Sequence, residues 1–257
     1  MDFQRISNRE RDGFNHMKYH AILFMCNDEN RADFVLENFI KHNSDIDVTV
    51  YNGGKDSSLI KEKYPKVKYI KGPNLWHKGT RHAPGSFSYG WFEMLFHTYE
   101  NHKPDYLIFL ETDVKTTKKI EIEPKYDVSG PVVSCGYMEQ LVMYDFWGNY
   151  LADKPFTEDS RTEWSHKFHT GMGATALSKN FFEKTKEHLY KVKKCYETIP
   201  LNCYQDVLLS CFARHCGCTM GDWEEATDTR GSLRLVNNGW SFDRMNEKSA
   251  LIHNFKV

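Results

Sequence analysis

The sequence predicts a single α/β domain in which helices flank a mostly parallel central sheet. Three observations lead to this prediction. The chain has 257 residues, which is enough for one large domain with a full hydrophobic core. Short apolar runs alternate with segments of helical periodicity through the first half of the chain. Because no internal repeat, low-complexity tract or long linker interrupts this order, we expect one domain over residues 1–257.

The first half of the chain supplies the predicted parallel strands. These strands are expected at residues 20–26, 46–51, 66–70 and 106–110. Helices are expected at residues 30–42 and 86–104, and the glycine-containing turn NGGKDSS occupies residues 52–58. This alternation of strand and helix is typical of a parallel sheet, in which ligands bind at the carboxyl ends of the strands.

The second half of the chain has a less regular pattern. An interrupted strand is predicted at residues 126–136, and the polar, aromatic stretch 144–169 is predicted to be a loop. Ser178 is expected to begin a helix, and residues 203–217 are expected to form another that ends at a C-cap glycine. A short strand is expected within residues 250–257.

Composition and charge exclude two classes of protein. Thirty-four basic and 35 acidic residues give a formal net charge of -1, so no overall field would attract nucleic acid or an anionic membrane. No run of about 18 apolar residues, the length of a membrane-spanning helix, occurs in the sequence. Residues 1–20 also lack the apolar segment of a signal peptide. We therefore expect a cytoplasmic protein with no transmembrane segment and no nucleic-acid partner.

The seven cysteines are expected to be reduced thiols, because several of them lie within apolar runs. The cluster Cys211, His215, Cys216 and Cys218 could suggest a zinc site. Structural zinc sites usually use two separated pairs of ligands, whereas these residues are crowded together, and a helix would direct Cys211 and His215 away from Cys216. We therefore interpret the cluster as core packing at the end of a helix.

Two acidic residues follow the most apolar of the predicted strands. The run YLIFL, residues 106–110, leads directly into Glu111, Thr112 and Asp113. Alternate residues of an extended chain point to the same side, so both carboxylates are expected to face one point at the carboxyl end of the strand. A hard divalent cation, Mn²⁺ or Mg²⁺, takes one or two protein carboxylates and completes its shell with phosphate oxygens and water. The alternative is a pair of solvated loop acids.

The segment LIFLETDV resembles the Asp-X-Asp motif of glycosyltransferases with the GT-A fold, with Glu111 in place of the first aspartate. The resemblance continues in order from His20 to His253, through a turn after the second strand, a basic loop before a long helix, a glycine-containing segment and an Asp-bearing helix. It implies a single GT-A (Rossmann-like) domain with a donor-binding half at about residues 18–115 and an acceptor-binding half at about 116–257. In such a domain Asp113 binds the metal, and Glu111 contacts the donor ribose, a metal-bound water or the metal itself.

Two later residues acquire a role from the same resemblance. Asp206 lies in the first turn of a predicted helix, where the helix dipole by itself favours a carboxylate. Its position is similar to a Glu-Asp motif of the family, with Gln205 in place of Glu, which implies that Asp206 is the general base that deprotonates the acceptor. His253 could simply be packed or solvated. In many members of the family, however, a late histidine returns to the diphosphate and is a second protein ligand of the metal.

The remaining predicted site residues surround the donor and the acceptor. Cations and polar residues of the loops after the first three strands are expected to contact the donor, and tryptophans in polar loops are expected to stack on sugars. In the segment FHTGMGATALSKNFF, the glycines leave room for a ligand beside the backbone, although an ordinary tight turn is the alternative. The predicted donor contacts are Asn27, Asn52, Lys55, Lys78, Arg81, Glu111, Thr112 and Asp113. The predicted acceptor or sugar contacts are Trp164, His169, Gly171 and Gly173.

Together these features predict a metal-dependent inverting glycosyltransferase, similar to enzymes of bacterial surface-glycan pathways or of large DNA viruses. A UDP-sugar is the expected donor, a glycan or glycoconjugate hydroxyl is the expected acceptor, and Mn²⁺ or Mg²⁺ is the expected cofactor. Three alternatives stay open. A retaining GT-A transferase would need no base at Asp206. A sugar nucleotidyltransferase usually carries a glycine-rich loop that CNDENRAD, residues 26–33, lacks, and a non-catalytic carbohydrate-binding relative would not need Asp113, Asp206 and His253 together.

Overall fold

The computed structural model contains a seven-stranded central sheet, smaller sheets of two or three strands, and helices on both faces of the central sheet. It describes residues 17–75, 89–134, 148–154, 168–170, 173–198, 205–236, 239–243 and 248–253. The strands are β1 (Tyr19–Met25), β2 (Asp47–Asn52), β3 (Lys68–Lys71), β4 (Tyr106–Leu110), β5 (Lys115–Thr116), β6 (Val128–Gly130), β7 (Val132–Ser134), β8 (Phe168–Thr170), β9 (Thr175–Ser178), β10 (Met220–Asp222), β11 (Ala226–Asp228), β12 (Ser232–Val236), β13 (Gly239–Asp243) and β14 (Leu251–His253). The helices are α1 (Glu29–His42), α2 (Ser58–Lys63), α3 (Gly90–His102), α4 (Lys179–Thr185), α5 (Leu189–Thr198) and α6 (Gln205–His215).

The central sheet has the strand order β10-β6-β9-β4-β1-β2-β3. Strands β4, β1, β2 and β3 are parallel to one another, and so are β6 and β10. Strand β9 is antiparallel to both of its neighbours, β4 and β6. The sequence-based prediction of a mostly parallel sheet flanked by helices is therefore confirmed.

Several elements were not predicted from the sequence, including α2, β9 and the strands β10–β13. Helix α2 follows the turn after β2, where the hydroxyl of Ser57 accepts a hydrogen bond of 3.2 Å from the Ile60 N–H and caps the helix. Strand β9 lies in the glycine-containing segment, for which no strand was predicted, and all four of its residues are buried. A run of four residues is too short to show a clear period of two, so only the pairing with β4 and β6 defines β9 as a strand.

The hydrophobic core lies on both faces of the central sheet. Successive residues of β1 point to opposite faces, so Ile22 joins the core that includes Trp91 of α3, whereas Leu23 joins the core that includes Phe39 of α1. Strand β4 is buried at every position, as expected for a strand in the middle of a sheet that is covered on both faces. This burial makes the carboxyl end of β4 a rigid support for the residues that follow it.

A small three-stranded sheet, in the order β11-β14-β5, is fixed to the domain by the buried carboxylate of Glu225. Its two oxygens accept hydrogen bonds from the backbone N–H groups of Glu121 at 2.9 Å, Ile122 at 3.0 Å and Ala250 at 3.2 Å. Lys118 also approaches it to 3.3 Å. One side chain thus ties the segment after β5 to the residue immediately before β14.

We expect Glu225→Ala to lower the free energy of unfolding by about 3 kcal/mol, since each buried donor that loses its partner costs about 1–3 kcal/mol. Urea unfolding followed by circular dichroism measures this difference. The neighbouring Glu224 has a side chain that is 61% exposed, so Glu224→Ala is the matched control and should change stability by less than about 0.5 kcal/mol. Equal stabilities of the two variants would contradict this role of Glu225.

Helix α6 ends in a Schellman motif, which confirms the expected C-cap glycine. Gly217 has a φ angle of +68°, and its N–H donates to the carbonyl of Arg214 while the N–H of Cys218 donates to the carbonyl of Ala213. Burial raises the pKa of the neighbouring thiols, to about 12 for Cys216 and about 11 for Cys218, so both are protonated at neutral pH. Among the helices that the structure describes, none is both long and apolar enough to cross a membrane.

Candidate metal centre

The central sheet positions the carboxylates of Glu111 and Asp113 close together. Strand β4 ends at Leu110, and the chain then turns, with the Val114 N–H donating to the carbonyl of Glu111 at 3.1 Å. Glu111 and Asp113 therefore lie at the carboxyl end of a central strand, and their side chains are 19% and 30% exposed. The placement expected from the sequence is the one observed.

The small sheet brings His253 to the same point. Strand β5 begins two residues after Asp113 and pairs antiparallel with β14, with Lys115 opposite Ile252. The next residue of β14 is His253, which therefore lies beside the turn that carries Asp113. Strand β11 pairs with β14 on its other side in parallel register, with Asp228 opposite His253.

These three side chains form a compact group. The Nε2 atom of His253 lies 3.0 Å from Oε2 of Glu111 and 3.6 Å from Oδ1 of Asp113. Ligand atoms from all three residues lie within 4.8 Å of one another, and in the part of the chain that the structure describes no other such group of histidine, cysteine or acidic residues occurs. The structure thus brings together residues separated by up to 142 positions in the sequence.

Behind His253 lies Asp228, a residue that the sequence analysis did not single out. Its fully buried carboxylate lies 2.8 Å from Nδ1 of His253 and accepts two hydrogen bonds from the Arg230 guanidinium, at 2.8 and 3.0 Å. A carboxylate that contacts one imidazole nitrogen fixes the orientation of the ring, as in many metal sites. Here it directs Nε2 of His253 toward Glu111 and Asp113. No signal in the sequence identifies Asp228, because its partner is 25 residues away and is reached only by strand pairing.

The electrostatics of the group favour positive charge at Nε2 of His253. Burial lowers the pKa of His253, but hydrogen bonds with Asp228 and Glu111 and the charge of Asp113 outweigh this effect and raise the pKa to about 10. Burial raises the pKa of Asp228, but its hydrogen bonds with His253 and Arg230 prevail and hold that pKa well below its usual range. The groups that stabilise a proton on Nε2 of His253 would therefore also stabilise a cation bound at the same position.

Asp113 provides a second indication that the group fits a metal ion. Its Oδ1 atom is buried and has no hydrogen-bond partner, and burial raises the pKa of this carboxyl group. A buried carboxylate oxygen without a partner is unfavourable unless a bound species satisfies it. Two carboxylates and one imidazole form a donor set that suits Mn²⁺, and the carboxylates alone suit Mg²⁺.

Two cavities flank the carboxyl end of β1. The cavity on the metal side has a volume of about 290 Å³ and is lined by Phe24, Cys26, Asp28, Arg31 and residues 111–113. Arg31, which the sequence analysis also missed, forms an ion pair of 3.4 Å with Asp28 in the first turn of α1. The cavity on the other side has a volume of about 430 Å³ and is lined by Met25, Asn27, Glu29, Lys55, Asp56 and Ser57.

The turn after β2 is held by the two asparagines that were predicted to contact the donor. Asn52 is fully buried, and its amide accepts a hydrogen bond from the Gly54 N–H and donates to the Lys55 carbonyl. Asn27, at a φ angle of +56°, accepts a hydrogen bond of 2.8 Å from the Lys55 N–H. Asn52 therefore shapes this turn from within, whereas Asn27 and Lys55 line the larger cavity.

The other predicted residues are only partly covered by the structure. Lys78, Arg81, Trp164 and Gly171 lie outside the described residues. The backbone of His169 lies in β8 and that of Asp206 in the first turn of α6, but their side chains are outside the described part. Gly173 is described, and its backbone lies against the imidazole of His253.

Solved structures resemble this chain in shape, although no protein-family profile and no curated protein sequence matches it. Core-mannan synthase A of Aspergillus fumigatus, in a Mn/GDP form, matches with a TM-score of 0.54 and 10% identity over 82% of this chain and 73% of that protein. The mannosyltransferase Ktr4p of S. cerevisiae, in complex with GDP, matches with a TM-score of 0.45 and 9% identity over 77% of this chain and 66% of that one. A Pyrobaculum calidifontis mannosyltransferase, in complex with GDP-Man and Mn²⁺, matches with a TM-score of 0.38 and 9% identity over 65% of this chain and 46% of that one. At these identities the likeness concerns the fold alone.

Proposed function

We propose that this chain, whose fold is the GT-A fold predicted from its sequence, is a metal-dependent inverting glycosyltransferase that uses a nucleoside-diphosphate sugar. The observation that carries the proposal is the convergence of Glu111, Asp113 and His253 at the carboxyl end of β4. Ligand sites of open α/β sheets lie at this edge. A bound cation would satisfy the buried Oδ1 atom of Asp113, which has no hydrogen-bond partner.

The proposed metal ligands are Asp113 and His253, with Glu111 as a third ligand or as a contact to the donor. When bound there, Mn²⁺ or Mg²⁺ would supply positive charge against the diphosphate of the donor. The chain's own contribution is to hold the ligands in place, since β4 and the Asp228–His253 pair fix them from two different sheets. Mn²⁺ is the better match of the two ions because one of the ligand atoms is an imidazole nitrogen.

The donor would lie across the carboxyl end of β1. We place its nucleoside in the cavity of about 430 Å³, beside Asn27 and Lys55, and its diphosphate in the cavity of about 290 Å³, beside Thr112 and Asp113. Arg31 lines the second cavity and brings a guanidinium, whose planar fork suits phosphate oxygens. Lys78 and Arg81 complete the proposed set of donor cations.

In the proposed reaction Asp206 is the general base. The acceptor oxygen forms a bond to the anomeric carbon while the bond from that carbon to the diphosphate oxygen breaks, which inverts the configuration. The acceptor proton passes to the Asp206 carboxylate, and the nucleoside diphosphate leaves. Trp164, His169, Gly171 and Gly173 are proposed to border the transferred sugar and the acceptor, which we take to be a glycan or glycoconjugate hydroxyl.

A melting experiment tests the metal-dependent donor site. A nucleoside diphosphate together with Mn²⁺ is expected to raise the melting temperature by about 5–10 °C at 100 times its dissociation constant, because a ligand at that concentration adds about 2.7 kcal/mol of stability. The same nucleotide with a chelator should produce a much smaller shift. Uridine and guanosine, which lack the phosphates, are the controls and should have little effect with Mn²⁺. Equal shifts with and without the ion would remove Asp113 and His253 from the proposed role.

A donor screen then separates the remaining functions and nucleotides. UDP-sugars remain the proposed donors, and GDP-sugars are included because two similar structures contain GDP and a third contains GDP-Man. Release of UDP or GDP in the presence of an acceptor indicates a glycosyltransferase. Release of pyrophosphate from a nucleoside triphosphate and a sugar phosphate indicates a nucleotidyltransferase. Binding of nucleotide without turnover of any donor indicates a non-catalytic relative.

A further inference from the structure

We propose that Gly173 is a positioning residue, whose lack of a side chain lets His253 reach the two carboxylates. The proposal rests on the metal site of the proposed function, which it deepens by assigning a residue that holds a ligand in place. A Cβ atom added at Gly173 would lie 2.5 Å from Nε2 and 2.7 Å from Cγ of His253, and it would also meet Cδ2. Real Cβ atoms do not approach other heavy atoms this closely, so any side chain at this position would displace the imidazole.

Glycine is needed at position 173 for a steric reason. The next residue, Ala174, carries a side chain at a φ angle of +64°, so the turn itself does not exclude side chains. The limiting factor is the space taken by the His253 ring, and an ordinary turn glycine would have no such neighbour.

The imidazole cannot easily move aside. His253 is 4% exposed, and on the side away from the carboxylates its Nδ1 atom is held by Asp228, which Arg230 fixes in turn. A side chain at Gly173 would press on the ring while Asp228 holds its far end. The expected response is a rotation or shift that moves Nε2 away from Glu111 and Asp113.

The backbone next to Gly173 is hydrogen-bonded to β4, the strand that Glu111 and Asp113 follow. The Ala174 N–H donates to the carbonyl of Phe109 in β4 at 3.1 Å, and Thr175 pairs with Phe109 in the antiparallel register. Gly173 immediately precedes Ala174, so the backbone that approaches the His253 ring is anchored to β4 one residue away.

A double-mutant cycle tests this proposal with four proteins: the wild type, Gly173→Ala, His253→Ala and the double variant. The readouts are the affinity for Mn²⁺ alone, measured by calorimetry, and the melting temperature of the metal-free protein. Gly173→Ala is expected to weaken Mn²⁺ binding by about 10–100-fold, as loss of a residue that orients a ligand typically does, and to lower the melting temperature. In the His253→Ala background the same change should affect neither readout, because the ring it presses on is gone.

The possible contrary results are distinct. Equal effects of Gly173→Ala in both backgrounds, or no effect in either, would overturn the proposal. If the wild type binds no Mn²⁺, the proposed function fails, but the melting temperatures still test the contact between Gly173 and His253. If Gly173→Ala does not fold, folding of the double variant supports the proposal and its failure to fold overturns it. Ala174→Gly, in the same turn, is the matched control and should leave Mn²⁺ affinity unchanged.

Discussion

Asp113→Asn is expected to abolish Mn²⁺-dependent binding of the nucleoside diphosphate and to reduce turnover by roughly a thousandfold. An amide oxygen is a neutral ligand, so the variant loses one of the negative charges that hold the ion. Charge stabilisation by a bound metal is worth several kcal/mol, and about 1.4 kcal/mol corresponds to a tenfold change in rate. Calorimetric titration with nucleotide and Mn²⁺, and the rate of nucleotide release, measure the two effects.

The same substitution should leave the metal-free protein at least as stable as the wild type. The Oδ1 atom of Asp113 is buried without a hydrogen-bond partner, and burial outweighs the attraction of His253, 3.6 Å away, and raises the pKa of this carboxyl group, so the charge is unfavourable in the absence of an ion. Asp45→Asn is the matched control, because Asp45 is 61% exposed in an ion pair with Lys119 on the surface. A variant Asp113→Asn that binds nucleotide with Mn²⁺ as tightly as the wild type would show that Asp113 is not a metal ligand.

Asp206→Asn is expected to reduce turnover by about 10²–10⁴-fold while the affinity for the donor stays nearly constant. The base acts on the acceptor in the transition state, and such a residue lowers kcat without weakening the binding of the donor. The amide is close in shape to the acid. Because position 206 is in the first turn of α6, the lost interaction with the helix dipole should cost only about 0.3–1 kcal/mol of stability.

The matched control for this variant is Glu187→Gln, which removes one exposed charge from the surface and should leave turnover unchanged. If Asp206→Asn keeps more than about a third of wild-type turnover at saturating acceptor, Asp206 is not the base, since a general base contributes at least about a hundredfold. Asp159, Glu163 and His169 would then be the next candidates. The anomeric configuration of the product gives an independent answer, because retention would indicate a mechanism that needs no such base.

Local features of the sequence were sufficient to predict the part of the site that lies on one strand. The apolar run of β4 and the two acids after it are contiguous, so burial of the strand and the period of two place Glu111 and Asp113 together. The place of His253 in the group could not be derived in this way. It was expected only from the resemblance, because β14 has three residues and its position depends on pairing with β5.

Residues whose environment is created by distant segments were predicted least well. Asp228 was missed because its partner is reached through the parallel pairing of two three-residue strands. Asn52 was expected to face the donor, but its amide is engaged by the turn that it precedes. Gly173 was expected to leave room beside the backbone, and the ring of His253 lies against it. In each case the residue type suggested a role, and tertiary contacts decided which group it meets.

Glu111 and His253 are separated by 142 residues, which affects the order in which the parts of the site form. Segments close in sequence can associate early, whereas a contact that closes so long a loop forms late and at a larger entropic cost. During synthesis the acids of β4 leave the ribosome well before β14 exists. A nascent chain can therefore build most of the parallel sheet while it still lacks the imidazole, and the proposed metal site is complete only when β14 inserts between β5 and β11.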